Sequence, residues 1–229
     1  MKEIRATSGP FPTRPFYEDK DIERICEDEL RLVNLLPPEP APVRIDRFIE
    51  KRFRVIPEAH DLPPGVLGYT TFTANGVKEI VIAVSLELDD NTTNQRRART
   101  TFAHEAGHGL LHAHLFATTT HQQQLTGTAS TNPQVMCRNE VLGRETAYDG
   151  RWWEFQANQA MGALLLPQRL IHIAIAPFLT AEGQLGLTSL LPANREPAAR
   201  HLSVIFDVNP VVARRRLDTL FPSTIQAAL

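Results

Sequence analysis

The residues best suited to chemistry lie in the stretch RTTFAHEAGHGLLHAHL, residues 99–115, which carries His104, Glu105 and His108 as a His-Glu-x-x-His pattern. On a helix, residues four apart differ by about 40° around the axis, so both imidazoles reach one ion from a single face. Glu105 projects beside the pair and does not easily join it as a ligand. It is left free to take a proton from a water held by the metal. Zinc is the natural occupant: neutral imidazole suits it, a catalytic site keeps an open position, and hydrolysis needs no redox change. Water bound to such an ion has a pKa of about 7, which supplies a nucleophile at neutral pH.

A third ligand is needed, and the sequence offers two kinds. His114 occupies the last place of the pattern HExxHxxGxxH, but Leu111 stands where that pattern needs a helix-breaking glycine. If the helix continues, His114 points about 240° away from His108. His112 stays nearer the ligand face, one turn further on. Both read as polar groups at a helix end, where they suit the negative pole. Glu154 is the better choice. It opens a second helix whose apolar stripe is Trp153, Ala157, Ala160, Met161 and Leu164, and Asn158 follows one turn later on the same side. A carboxylate from a neighbouring helix completes a His, His, Glu set of the gluzincin type, and Asn158 is placed to hydrogen-bond a ligand imidazole.

The elements that must position these groups can be read along the chain. Residues 1–19 are proline-rich and aperiodic, which predicts a loosely held arm. From Asp21, the apolar residues Ile22, Ile25, Leu30 and Val33 predict an amphipathic helix ending before Pro37, and a second short helix is expected over 45–53. VLGYTTFTANGVKEIVIAVSL then reads as a hairpin turning at Asn75-Gly76, a pair that suits a type I′ turn. Alternation through Ile80, Ile82, Val84 and Leu86 predicts a half-buried second strand. DDNTTN offers helix caps ahead of the histidine helix. Residues 116–150 are polar and aperiodic and predict a long surface excursion. IHIAIAPFL is a buried run of open type. The tail predicts helices Pro197–Phe206 and Pro210–Leu220, with Asp207-Val208-Asn209 as the turn between them.

Composition bounds the function classes. With 229 residues, 42% hydrophobic and 22% charged, the chain can bury a real core. A net charge of −2 supplies no strong field toward nucleic acid or acidic membranes. The start of the chain has no apolar signal-like run and no apolar stretch is long enough to span a bilayer, so a cytoplasmic protein is expected. Cys26 and Cys137, far apart in sequence, are expected as free thiols.

At RTTFAHEAGHGLLH, and at EFQANQAMGALLLP with its E-x-x-A-N helix ending in LLxP, the sequence resembles the ImmA/IrrE family of zinc-dependent metallopeptidases. An N-terminal helical region and a hairpin ahead of them fit the same order, and the resemblance covers roughly residues 20–220. It implies an α+β fold: a zincin-like core over 20–180, interrupted by the polar insertion at about 116–150, with a helix-turn-helix-like C-terminal module over 181–229. It also implies a zinc endopeptidase that uses His104, His108 and Glu154 as ligands and Glu105 as general base. The implied substrate is a helix-turn-helix repressor, or an antitoxin-like regulator, encoded nearby. By analogy with related zincins, the strand around Ile80–Leu86 is expected to offer an edge for an extended substrate. The oxyanion-stabilising group stays open among His112, His114, His121, Tyr148 and Arg151. Two other readings compete. One is a DNA-binding regulator using Arg214, Arg215 and Arg216; the other is a metal-binding partner protein that does not cut.

Overall fold

In the computed structural model the chain is α+β, and residues 2–5, 13–88, 91–115, 134–138, 151–182 and 187–222 are described. Helix α1, Asp19–Leu32, opens where the Glu18 backbone N–H donates to Asp21 Oδ2 at 3.1 Å, and it buries Ile22, Cys26 and Leu30 on one stripe. Helix α2, Ile45–Phe53, buries Ile45, Phe48 and Ile49 and stops at Arg54, whose φ is +60°. Cys26 is free, and its thiol lies 3.7 Å from the carbonyl oxygen of Ala160. The side chain of Cys137 is outside the described set.

The expected arm over 1–19 contains paired backbone: β1, Lys2–Arg5, runs antiparallel to β2, Thr13–Phe16. Pro15 within it is buried, and its carbonyl is tied to the core. Hydrogen bonding along two short strands thus gives order to a stretch whose composition alone suggests none.

A second sheet holds β3 (Glu58–His60), β4 (Val66–Thr73), β5 (Gly76–Ala83) and β6 (Gln134–Arg138) in the order β3-β5-β4-β6. Strands β4 and β5 form the expected hairpin, but its turn differs. Gly76 has a φ of +110° while Asn75 does not enter the positive region, and Thr73 pairs with Gly76 across Ala74-Asn75. A type I′ turn needs positive φ at both central residues, so this is a turn closed by a left-handed glycine instead.

Two further expectations are corrected here. The run Ile80–Leu86 is neither half-buried nor an edge: β5 lies between β3, which pairs with it in parallel, and β4, and Ile80 through Ala83 are all buried. Alternation had suggested one wet face, but successive residues from Ile80 to Ala83, which point to opposite faces, are all buried. The chain also leaves the sheet at Val84–Leu86, which form a turn of 3-10 helix. Within the polar excursion, residues 134–138 supply the antiparallel edge strand β6 beside β4. The rest of 116–150 lies outside the described residues.

Helix α3, Thr92–Leu111, is capped by Asn91, whose Oδ1 accepts from the Thr93 backbone N–H at 2.8 Å. It lies against β4 and β5 on one side and against helix α4, Trp152–Leu165, on another. Both approaches use glycine. A Cβ on Gly107 would meet the Ala157 carbonyl oxygen and Ala160 Cβ at 3.0 Å, and one on Gly68 of β4 would meet Thr101 Cγ2 at 2.7 Å and the Val81 carbonyl oxygen at 2.8 Å. Without side chains at these points, α3 closes on both neighbours, which brings its histidines to α4 and Glu105 to the sheet.

On α4 the buried aromatic is Trp152 (1% exposed) instead of the expected Trp153, and Glu154 and Gln156 are buried as well. The helix is covered on most sides, so a single apolar stripe misjudges its inner faces. The run after it forms α5, Gln168–Ala174, which buries Leu170, Ile171 and Ala174 but leaves Ile173 exposed. A short pair follows, β7 (Thr180–Glu182) with β8 (Leu187–Ser189).

The C-terminal helices are α6, Pro192–Ile205, and α7, Pro210–Leu220. Helix α6 starts five residues earlier than expected, at Pro192, and carries Pro197 inside it. Leu202, Phe206, Val212 and Leu217 join the same continuous core as Ile22, Phe48, Ile82 and Leu164. Asp207, at φ +51° in the turn, accepts from Arg96 Nε at 2.9 Å and from Arg99 Nη1 at 2.6 Å, so the first half of α3 grips this pair of helices. Arg216 is 3% exposed and reaches Glu23 of α1 through both terminal nitrogens, one at 2.6 Å, while its Nε and Nη2 each lie 3.2 Å from the Leu166 carbonyl oxygen. Arg214 pairs with Glu196 at 2.6 Å on the surface. Two of the three arginines offered for phosphate binding are thus engaged within the fold, one of them deep inside. Removing one partner of a buried charge pair leaves the other uncompensated, so Arg216→Ala is expected to lower unfolding free energy by roughly 3 kcal/mol. Arg214→Ala should change it little. Urea denaturation of both variants checks the contrast.

Candidate metal centre

Helix α3 delivers His104 and His108 to one face, and α4 delivers Glu154 to the same point. One donor atom from each of the three lies within 4.8 Å of the other two, and all three residues are buried. The two Nε2 atoms are 3.0 Å apart. Glu154 Oε2 is 3.1 Å from His104 Nε2, and its Oε1 is 3.7 Å from His108 Nε2. Each imidazole turns its other nitrogen outward. His104 Nδ1 lies 3.0 Å from Asn158 Oδ1, which can only accept, and His108 Nδ1 lies 3.0 Å from His112 Nδ1. A neutral imidazole protonated at Nδ1 has a lone pair at Nε2. Lone pairs of two imidazoles and a carboxylate thus converge in a buried space, the donor set that a divalent cation holds together. The residues present could hold a metal ion.

Glu105 sits beside the triad with 0% exposure. The Thr70 hydroxyl of β4 is 2.8 Å from Glu105 Oε2 and 3.1 Å from the Glu105 carbonyl oxygen, while Glu105 Oε1 has no hydrogen-bond partner among the described residues. Burial pushes the Glu105 carboxyl up to about 8, against the lowering effects of His104 and of the Thr70 hydrogen bond. Burial also acts to raise Glu154, but the neighbouring His104 and His108 outweigh it and hold that carboxyl well below its usual range. His108 is lowered, chiefly by burial. His112 is pushed down to about 3 by burial and then by His108, so it is neutral at pH 7.

The structure therefore brings together His104, His108 and Glu154, with Glu105 beside them and Asn158 behind His104. Compared with known proteins, the chain matches no family model and no curated protein. What can be said of its chemistry rests on this geometry.

His112 is corrected. It does stand at the end of α3, as its C-cap, but it is fully buried there; its Nε2 is 3.0 Å from Gln156 Oε1, and its ring lies T-shaped to that of Trp152 with centroids 5.6 Å apart. That placement depends on α4 covering the end of α3, which spacing within α3 cannot reveal. His114 is exposed beyond the end of α3, which stops at Leu111, and Arg151 stands at the start of α4. His121 and Tyr148 lie outside the described residues. Sequence reasoning missed Thr70 and Gln156. Nothing marks Thr70 among the threonines of β4, and Gln156 stands two residues from Glu154, off its face in a simple helical count. No helix among the described residues is long and apolar enough to cross a membrane.

Proposed function

We propose that the protein is a zinc-dependent endopeptidase with a zincin-like core, similar to the ImmA/IrrE metallopeptidases, and that its substrate is a helix-turn-helix repressor or antitoxin-like regulator encoded nearby. One observation carries the reading: a buried carboxyl, Glu105, lies next to three side chains that could hold a metal ion and has one oxygen, Oε1, without a partner among the described residues. In a structural metal site such a group would be a pure cost. In a hydrolase it is the proton acceptor.

His104, His108 and Glu154 would hold the zinc. When bound, the ion supplies a Lewis acid that acidifies water and polarises the scissile carbonyl. Thr70 fixes Glu105 through Oε2, which leaves Oε1 to take the proton of the attacking water and later return it to the leaving amine. A divalent charge at the triad favours the ionised form of Glu105 that this step requires, against the burial that otherwise raises it. Because β5 is interior, a substrate strand does not pair with it; the edges of the sheet are β3 and β6.

The test is to incubate the purified protein with the helix-turn-helix protein encoded beside it. Cleavage at a defined bond that stops with a chelator and returns with zinc is the expected result. Cutting that survives full metal removal would overturn the assignment.

A further inference from the structure

A line of polar groups leads from the candidate ligand His108 back to the N-terminal hairpin. His108 Nδ1 is 3.0 Å from His112 Nδ1, His112 Nε2 is 3.0 Å from Gln156 Oε1, and Gln156 Nε2 is 3.1 Å from the Pro15 carbonyl oxygen. His108 and His112 are completely buried and Gln156 is 7% exposed. Side chains of this kind are not buried without reason, because a buried polar atom left unsatisfied destabilises the fold.

The direction of every hydrogen bond follows from the far end. A proline carbonyl can only accept, so the amide nitrogen of Gln156 must face Pro15 and its oxygen must face His112. That oxygen also can only accept, so His112 carries its proton on Nε2. Neutral His112 then presents a lone pair at Nδ1, and His108 must donate to it from Nδ1–H. The proton on His108 is thereby placed away from Glu154, and its Nε2 lone pair faces His104 and Glu154. The β1–β2 hairpin, 141 residues away from Gln156 in sequence, thus dictates the tautomer of a ligand.

We propose that His112 and Gln156 are positioning residues for metal binding: anchored on the Pro15 carbonyl, they hold His108 in its Nε2-ligating tautomer and orientation. Asn158 does the same for His104 in one step. The inference rests on reading the triad as a metal site, and it adds that the Pro15 carbonyl sets which way the Gln156 amide faces.

The experiment is zinc affinity of the full chain, measured by competition with a chromophoric chelator, for wild type, Gln156→Leu, Gln156→Glu and His112→Phe. Losing a group that supports a metal ligand typically costs about 10–100-fold in affinity. Gln156→Leu and His112→Phe are expected to fall in that range. Gln156→Glu keeps an acceptor for His112 while weakening the link to Pro15, so it should retain zinc affinity within a few-fold even where its melting temperature drops as far as that of Gln156→Leu. A packing role alone would make affinity follow melting temperature across the two Gln156 variants, and that result would overturn the proposal. Should His112→Phe fail to fold, the Gln156 pair still decides. A second reading comes from long-range proton–nitrogen NMR of the imidazoles: His112 protonated at Nε2 is expected, and protonation at Nδ1 would refute the relay. If wild type itself binds no zinc, the metal-site reading fails; if wild type binds and all three variants match it, only the relay does.

Discussion

Glu105→Gln is expected to lower cleavage of the substrate repressor about 10²–10⁴-fold, the range that a positioned general acid–base group contributes. Bound zinc should be unchanged. The substitution preserves shape and keeps an oxygen that accepts from Thr70, so the contacts between β4 and α3 survive. What it removes is the basicity of Oε1, a buried oxygen with no partner among the described residues. Gel and mass-spectrometric assays of fragment release, run beside metal analysis of the same preparation, separate the two quantities. Equal cutting by wild type and variant would take Glu105 out of the mechanism; loss of metal along with activity would make it a structural residue.

The second large effect concerns the ligands. His104→Ala and Glu154→Ala each remove one of three donors that meet within 4.8 Å. Each should weaken zinc binding by more than the roughly 10–100-fold expected when a supporting group such as Asn158 is lost. The purified variants should carry little or no metal where wild type carries one ion per chain. Glu154→Ala is the sharper case. Its carboxyl comes from a different helix, across a sequence gap of 50 residues from His104, and nothing local to the histidines replaces it. Retention of stoichiometric zinc by Glu154→Ala would mean that the ion sits elsewhere.

How much of this was legible in the sequence depends on the range of the interaction. His104, Glu105 and His108 are local to one helical turn, and spacing alone placed the two histidines on a common face with Glu105 beside them. Glu154 and Asn158 were legible because they share a face of a second recognisable helix, although nothing in sequence shows that α3 and α4 touch. The contact needs Gly107, whose missing Cβ lets the Ala157 backbone approach. His112, Gln156 and Pro15 were beyond reach for the same reason: three distant segments meet there, and only packing brings them together. The strand Ile80–Ala83 shows the opposite failure. Its alternation was real, but alternation does not show which faces other elements cover, and the expected edge is taken by β3, a parallel partner too short to announce itself. Helix α6 was misplaced because Pro197 looked like a first-turn proline, whereas Pro192 holds that position.

X-ray absorption at the zinc edge of the purified wild-type protein bears most directly on the central claim. The account predicts one zinc per chain with two imidazole nitrogens at about 2.0–2.1 Å and carboxylate or water oxygen at similar distance, without sulfur. Protein that carries no stoichiometric metal after zinc loading, or zinc held by thiolate, would contradict it.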